Sequence, residues 1–114
     1  NAIKFSHPGG SIAISAQPDR EARIVLVLED SGVGMPEAVV KTLFEFDQIS
    51  SRRGTLGEPG TGFGMPIAAK LIQSYGGTIA VVSREVTADA PGLTRFEIRL
   101  RGEIAEEGVR AAAA

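Results

Sequence analysis

The stretch Ile24-Val25-Leu26-Val27-Leu28-Glu29-Asp30-Ser31-Gly32-Val33-Gly34-Met35-Pro36 decides the fold. The unbroken apolar run from Ile24 to Leu28 reads as a strand, and two acids end it. A glycine-rich turn follows. Pro36 then suits a first helical position, where its missing N–H had no partner to lose, and a short helix is predicted to about Leu43. Upstream, Ile12, Ile14 and Ala16 alternate with Ala13 and Ser15, and Gln17-Pro18-Asp19-Arg20-Glu21 supplies turn chemistry. This gives two strands joined by a short loop.

Downstream, Asp47 to Gly60 shows no periodicity. A structureless loop longer than about 12 residues inside a compact domain is usually functional or disordered, and this one reads as a lid, with disorder expected over Ser50 to Pro59. After Gly60-Thr61-Gly62-Phe63-Gly64, apolar positions recur at Met65, Ala68, Ile72 and Tyr75, and Gly76-Gly77 stops the pattern as a C-terminal cap does. Thr78 to Ser83 reads as a strand, Ala88 to Gly92 as a turn. Phe96, Ile98 and Leu100 alternate with Arg95, Glu97, Arg99 and Arg101, so the last strand has one wet face. One domain over residues 1–102 is expected, followed by a tail over 103–114 that is natural or a scar of cloning.

Composition narrows the function. The chain has 114 residues, 43% of them hydrophobic, which is enough for one domain with a core. A net charge of −2 provides no basic field for nucleic acid or an anionic membrane, so neither is expected as a partner and any anion must be held locally. The absence of cysteine removes disulfides and thiolate chemistry, and the single histidine, His7, thinly supports a metal site or a serine–histidine dyad. His7 reads as a surface or loop residue.

The two glycine loops lie about thirty residues apart in sequence, the first closing a strand with an acid and the second opening a helix. Glycines let backbone approach an anion, and the N–H groups at a helix start point toward it. Thr61 adds a hydroxyl. The spacing matches neither common nucleotide fingerprint: the dinucleotide pattern needs a glycine where Met65 stands, and the P-loop needs a Gly-Lys-Ser/Thr that the chain lacks. Asp30 has two readings. It accepts a hydrogen bond from an exocyclic amine, which would select adenine over guanine, or it closes the strand as an Asx turn.

Four motifs in order resemble the ATP-binding catalytic domain of sensor histidine kinases, in the superfamily that also holds DNA gyrase B, heat-shock chaperones and mismatch-repair ATPases. Asn1-Ala2-Ile3-Lys4-Phe5-Ser6 is similar to the second half of the N box, and Asp30-Ser31-Gly32-Val33-Gly34-Met35 to the first glycine box. Phe44-Glu45-Phe46-Asp47-Gln48 is similar to the F box, and Gly60-Thr61-Gly62-Phe63-Gly64-Met65 to the second glycine box. The resemblance implies a Bergerat-type fold: a two-layer α/β sandwich with a mixed, mostly antiparallel sheet and helices on one face, incomplete at the N-terminus. A lid over about 47–60 would cover the nucleotide.

By the same resemblance Asn1 supplies an oxygen to Mg²⁺, which bridges the phosphates of ATP, and Lys4 lies near the phosphate chain. The competing reading of Lys4 is a solvated face. Asp30 takes the adenine amine, Gly32 and Gly34 give the base room, and Gly60, Thr61, Gly62 and Gly64 hold the phosphates. Phe44 and Phe46 are expected in the core and at the lid's hinge. Arg52 and Arg53 sit in the lid, either closing on the γ-phosphate or forming a solvated basic loop. The implied activity is that of a protein histidine kinase, whose partners are a separate histidine-containing dimerisation domain and a response regulator, in the bacterial cytoplasm and often within a membrane-tethered parent. No catalytic residue, and no general base near the phosphates, is identified inside the chain.

Departures matter too. The F box is one residue shorter between its aromatics than the family's, Pro66 is unusual, and the N box opens upstream of Asn1 on a helix outside this sequence. Without that helix, exposed apolar sheet surface is expected, and with it dimerisation, segment swapping or marginal stability, or else the polypeptide continues upstream. Two other readings stay open: ATP hydrolysis as in the gyrase-like branch, and a non-catalytic docking module for a response regulator.

Overall fold

β-Branched and alternating apolar residues form the sheet, and the glycines punctuate it. The computed structural model describes residues 1–46, 54–57 and 62–102. The elements run β1 (Ile12–Pro18), β2 (Arg23–Asp30), α1 (Glu37–Thr42), α2 (Gly64–Ser74), β3 (Thr78–Arg84) and β4 (Leu93–Arg101). The strands form one sheet in the order β1-β2-β4-β3, and each of the three pairings is antiparallel. The last strand in sequence is therefore an inner strand in space.

Register explains the faces. Ile14 lies opposite Leu28, Leu28 opposite Phe96, and Phe96 opposite Val81. With a side-chain period of two, those residues share a face with Ile12, Leu26, Ile98 and Ile79. At one end the same face turns polar: Asp30 lies opposite Thr94, and Thr94 opposite Ser83. The other face carries charge, with Arg95–Glu29 at 3.8 Å, Arg99–Glu97 at 2.7 Å and Arg99–Asp19 at 3.5 Å. The Arg99 guanidinium is held above its ordinary pKa, first by its hydrogen bond to Glu97 and by that carboxylate's charge. Such solvated pairs keep the face wet and contribute little to stability.

Both helices pack on β3. α2 turns Pro66 and Ala69 inward. Pro66 is tolerated because N–H groups of the first helical turn have no intrahelical partner. The helix ends as the sequence predicts: Gly76, at φ +74°, donates its N–H to the Gln73 carbonyl (2.9 Å), and Gly77 donates to that of Ile72 (2.9 Å). This is a Schellman cap. Gly77 also has to be glycine, because a Cβ there would sit 2.6 Å from the Arg99 carbonyl oxygen of β4.

Three expectations change. Pro36 is the N-cap of α1 and not its first residue. Tyr75, expected on the buried stripe of α2, is its C-cap residue and 76% exposed, past the packed body of the helix. The core is also smaller than composition permits: apart from Pro66, Ala69 at 3% exposure is the one buried apolar side chain among the described residues. The helices cover the β3 side of the apolar face, whereas all seven residues of β1 are exposed and Ile14 is 69% exposed. Among the described residues, no helix is long and apolar enough to cross a membrane.

Candidate nucleotide site

The polar end of the sheet's helix-covered face is the floor of a cavity of roughly 220 Å³. Asp30, the last residue of β2, is 7% exposed, and its Oδ1 accepts the Gly32 N–H at 2.9 Å. The Asx turn thus forms, and Asp30 lines the cavity as well. The two readings of this residue are compatible, since a carboxylate has two oxygens and the turn occupies one. Thr94, across the ladder from Asp30 and equally buried, lines the cavity beside it.

The first glycine turn is shaped by backbone crowding. A Cβ on Gly32 would collide with the Phe5 carbonyl oxygen, and one on Gly34 with the Arg84 carbonyl oxygen. Gly34 also holds φ at +71°, a region that L side chains rarely adopt. Gly34 borders the cavity, but Gly32 lies behind Asp30 and does not. The room that Gly32 creates is therefore taken by the N-terminal segment and not by a ligand, a correction to the expectation that both glycines clear space for a base.

That N-terminal segment is tied on two sides. Phe5 N–H donates to the Asn1 carbonyl (2.9 Å), and Val33 N–H donates to the Phe5 carbonyl (3.0 Å), which fixes the segment to the glycine turn. From the other side, Thr55 N–H donates to the Lys4 carbonyl (3.0 Å) and Thr55 Oγ1 to the Ser6 carbonyl (2.8 Å). Asn1 and Lys4 consequently border the cavity. Lys4 Nζ stands over the Phe5 ring, 5.1 Å from its centroid, a cation–π contact.

Gly62, at φ +78°, and Gly64, the first residue of α2, complete the rim. Asn1, Lys4, Asp30, Gly34, Gly62 and Gly64 are thus brought together. Gly60, Thr61, Arg52 and Arg53 lie outside the described residues, as does the loop over 47–60 apart from 54–57 and, with it, most of the segment expected to be disordered. Phe44 is half-buried and Phe46 is 45% exposed, so Phe46 is not a core residue, and neither borders the cavity. His7 is exposed in a loop.

Several cavity residues had no pattern to betray them. Thr94 is one hydroxyl in an alternating strand, and only its register with Asp30 gives it meaning. Met35, Val39, Leu43, Met65 and Phe96 supply apolar walls drawn from both helices, the turn and β4. Glu45 stands on the wall too, so an acid does lie at the cavity, although the sequence identifies no base there. Among the described residues no cluster of three or more His, Cys, Asp or Glu side chains exists to hold a metal by itself.

Known proteins resemble this chain in sequence and in fold. Residues 1–104 match the family model described as histidine kinase-, DNA gyrase B-, and HSP90-like ATPase. The virulence sensor protein BvgS of Bordetella bronchiseptica is 34% identical over 97% of this chain and 9% of its own length. The signal transduction histidine-protein kinase/phosphatase MprB of Mycobacterium sp. (strain KMS) is 32% identical over 90% of this chain and 19% of its own. Among solved structures, a mycobacterial sensor histidine kinase MprB superposes with a TM-score of 0.69 at 30% identity, covering 89% of this chain and 62% of that one. The catalytic domain of histidine kinase ThkA gives 0.57 at 26% identity, covering 89% and 59%. The chain spans only a small part of the length of the curated relatives it matches.

Proposed function

The chain belongs to the histidine kinase-, DNA gyrase B- and HSP90-like ATPase family, and from that premise we propose that it binds Mg·ATP and presents the γ-phosphate to a histidine on a separate dimerisation domain, in two-component signalling. The observation that carries the proposal is the cavity itself. Its buried floor of Asp30 and Thr94 suits a base, and Asn1, Lys4, Gly62 and Gly64 gather at its rim. A volume of roughly 220 Å³ falls below the about 300–1,000 Å³ of clefts that take a whole small molecule, which suits a ring inside and a phosphate chain at the mouth.

Asp30 accepts from the exocyclic amine of adenine, and the apolar walls of Met35, Val39, Leu43, Met65 and Phe96 desolvate the ring. Lys4 and the glycine backbone meet the phosphates, with Gly60, Thr61, Arg52 and Arg53 assigned there by the resemblance alone. The donor set fits magnesium in one way: that ion keeps most of its waters and takes one or two protein oxygens plus substrate phosphates, and the Asn1 side chain supplies one oxygen. When bound, it would neutralise charge on the phosphates. On this reading residues 1–102 form the domain, which works in the bacterial cytoplasm with a response regulator downstream.

Calorimetric titration of ATP and GTP in Mg²⁺ tests the proposal. Micromolar to millimolar ATP binding that GTP does not share and that Asp30→Ala abolishes is expected; a folded chain that binds neither refutes it. A second reading, hydrolysis, is favoured by Glu45 on the wall. Its test is phosphate release by the wild type against Glu45→Gln. Equal rates from the two exclude Glu45 as the base.

A further inference from the structure

Ser83 is where the cavity floor acquires its polarity. Its hydroxyl lies 2.9 Å from the Leu93 carbonyl oxygen, 2.8 Å from Thr94 Oγ1, and 2.9 Å from the Met35 N–H. A serine hydroxyl has one proton to donate. Given to the Leu93 carbonyl, it leaves Ser83 Oγ to accept from Met35 N–H and from the Thr94 hydroxyl, and all three contacts are hydrogen bonds. Given instead to Thr94, it leaves two oxygens 2.9 Å apart with no proton between them, at a part-buried site where an unmade bond is costly. Counting protons therefore selects the first arrangement.

The consequence lies one residue away. Thr94 spends its single proton on Ser83, so toward the cavity it presents only lone pairs. Its neighbour Asp30 is a carboxylate, which offers acceptors alone, with Oδ1 already engaged by Gly32. Resting on the nucleotide reading above, we propose that Ser83 is a positioning residue that sets base specificity: by fixing the direction of the Thr94 proton it makes the floor acceptor-only, so that a purine with an amine at position 6 is admitted and one with a carbonyl there is repelled. Had Thr94 been free to turn, its hydroxyl would donate to that carbonyl and blunt the discrimination. Ser83 never meets the base.

The experiment compares ATP and inosine triphosphate, which differ by amine against carbonyl at position 6 and by a bare nitrogen against an N–H at position 1, by calorimetry on the 114-residue chain and on Ser83→Ala and Ser83→Thr, the position-1 difference being common to all three chains. In the wild type the carbonyl leaves buried acceptors unpaired, and ITP is expected to bind between about fivefold and 150-fold more weakly than ATP. Ser83→Ala also releases Met35 N–H, which weakens both nucleotides alike, so the readout is their ratio. That ratio is expected to fall at least about threefold in Ser83→Ala and to return in Ser83→Thr, which keeps the hydroxyl. An unchanged ratio in a folded Ser83→Ala overturns the assignment. If that variant does not fold, the wild type decides with purine riboside triphosphate, which has only hydrogen at position 6. It differs from ATP by the amine alone, so an acceptor-only floor ranks it below ATP, and equal affinities overturn the proposal. Failure of the wild type to bind any of the three overturns the nucleotide reading itself, an outcome distinct from binding without discrimination.

Discussion

Gly34→Ala tests whether the first glycine turn is held by crowding or only by backbone conformation. Two glycines provide the comparison: Gly34 and Gly76 hold nearly the same φ, +71° and +74°, yet a Cβ on Gly76 meets nothing within 4 Å, whereas one on Gly34 collides with the Arg84 carbonyl. Both substitutions incur the left-handed penalty of about 1–2 kcal/mol. At Gly34 the turn must also move off the end of β3, where Val86 N–H bonds the Val33 carbonyl at 2.9 Å and Met35 N–H bonds Ser83 Oγ at 2.9 Å. Losing those two adds about 1 kcal/mol each, for a total of roughly 3–4 kcal/mol. At about 4 °C per kcal/mol for a chain of this size, Gly34→Ala lowers the melting temperature by about 12–16 °C and Gly76→Ala by about 4–8 °C. Thermal melts followed by circular dichroism, with urea titration as a check, measure both. If Gly34→Ala costs no more than Gly76→Ala, crowding is not what selects glycine there.

Other outcomes follow from single contacts. Ile14→Ser should change stability by less than about 0.5 kcal/mol, because the side chain is already exposed; a loss above about 1.5 kcal/mol in urea unfolding would show that something covers β1 in solution, and sedimentation would identify a second copy. If Lys4 serves the phosphates as proposed, Lys4→Met should weaken ATP about tenfold while leaving adenosine within twofold, and equal losses for both ligands would place it elsewhere. Thr55→Val removes the hydroxyl bond to the Ser6 carbonyl and should cost about 1 kcal/mol, with faster amide exchange at Phe5, whose N–H depends on the turn that Thr55 anchors; unchanged exchange would refute the anchoring.

Much of this architecture was legible before the structure. The run Ile24–Leu28, the alternation through Phe96, Ile98 and Leu100, and the stop at Gly76-Gly77 are local signals, each enforced by side-chain period or by a glycine's tolerance of positive φ. Asp30 was legible as a candidate because an acid ends a strand just before a glycine turn, and the structure places it buried at the cavity. Pairing was harder. Nothing local says that β4 enters between β2 and β3, and without that register Thr94 and Ser83 are anonymous hydroxyls. Burial was harder still: Ile12 and Ile14 alternate as residues of a covered face do, but a pattern states which face is apolar and not whether anything lies on it. Gly32 shows the same limit, since its glycine requirement was visible and the atom that imposes it, the Phe5 carbonyl, was not.

The inner position of β4 also carries a consequence in time. β1 and β2 pair as a hairpin, and α2 with β3 makes a second local unit, and within the sheet of the described residues β2 and β3 are joined through β4. On a ribosome, both units can emerge and sample structure while the cavity between them lacks the β4 half of its floor. Thr94 leaves the exit tunnel after every other residue that borders the cavity except Phe96. The cavity is therefore closed by β4, and a chain stalled before Leu93 would hold both glycine boxes and still lack the β4 side of that cavity.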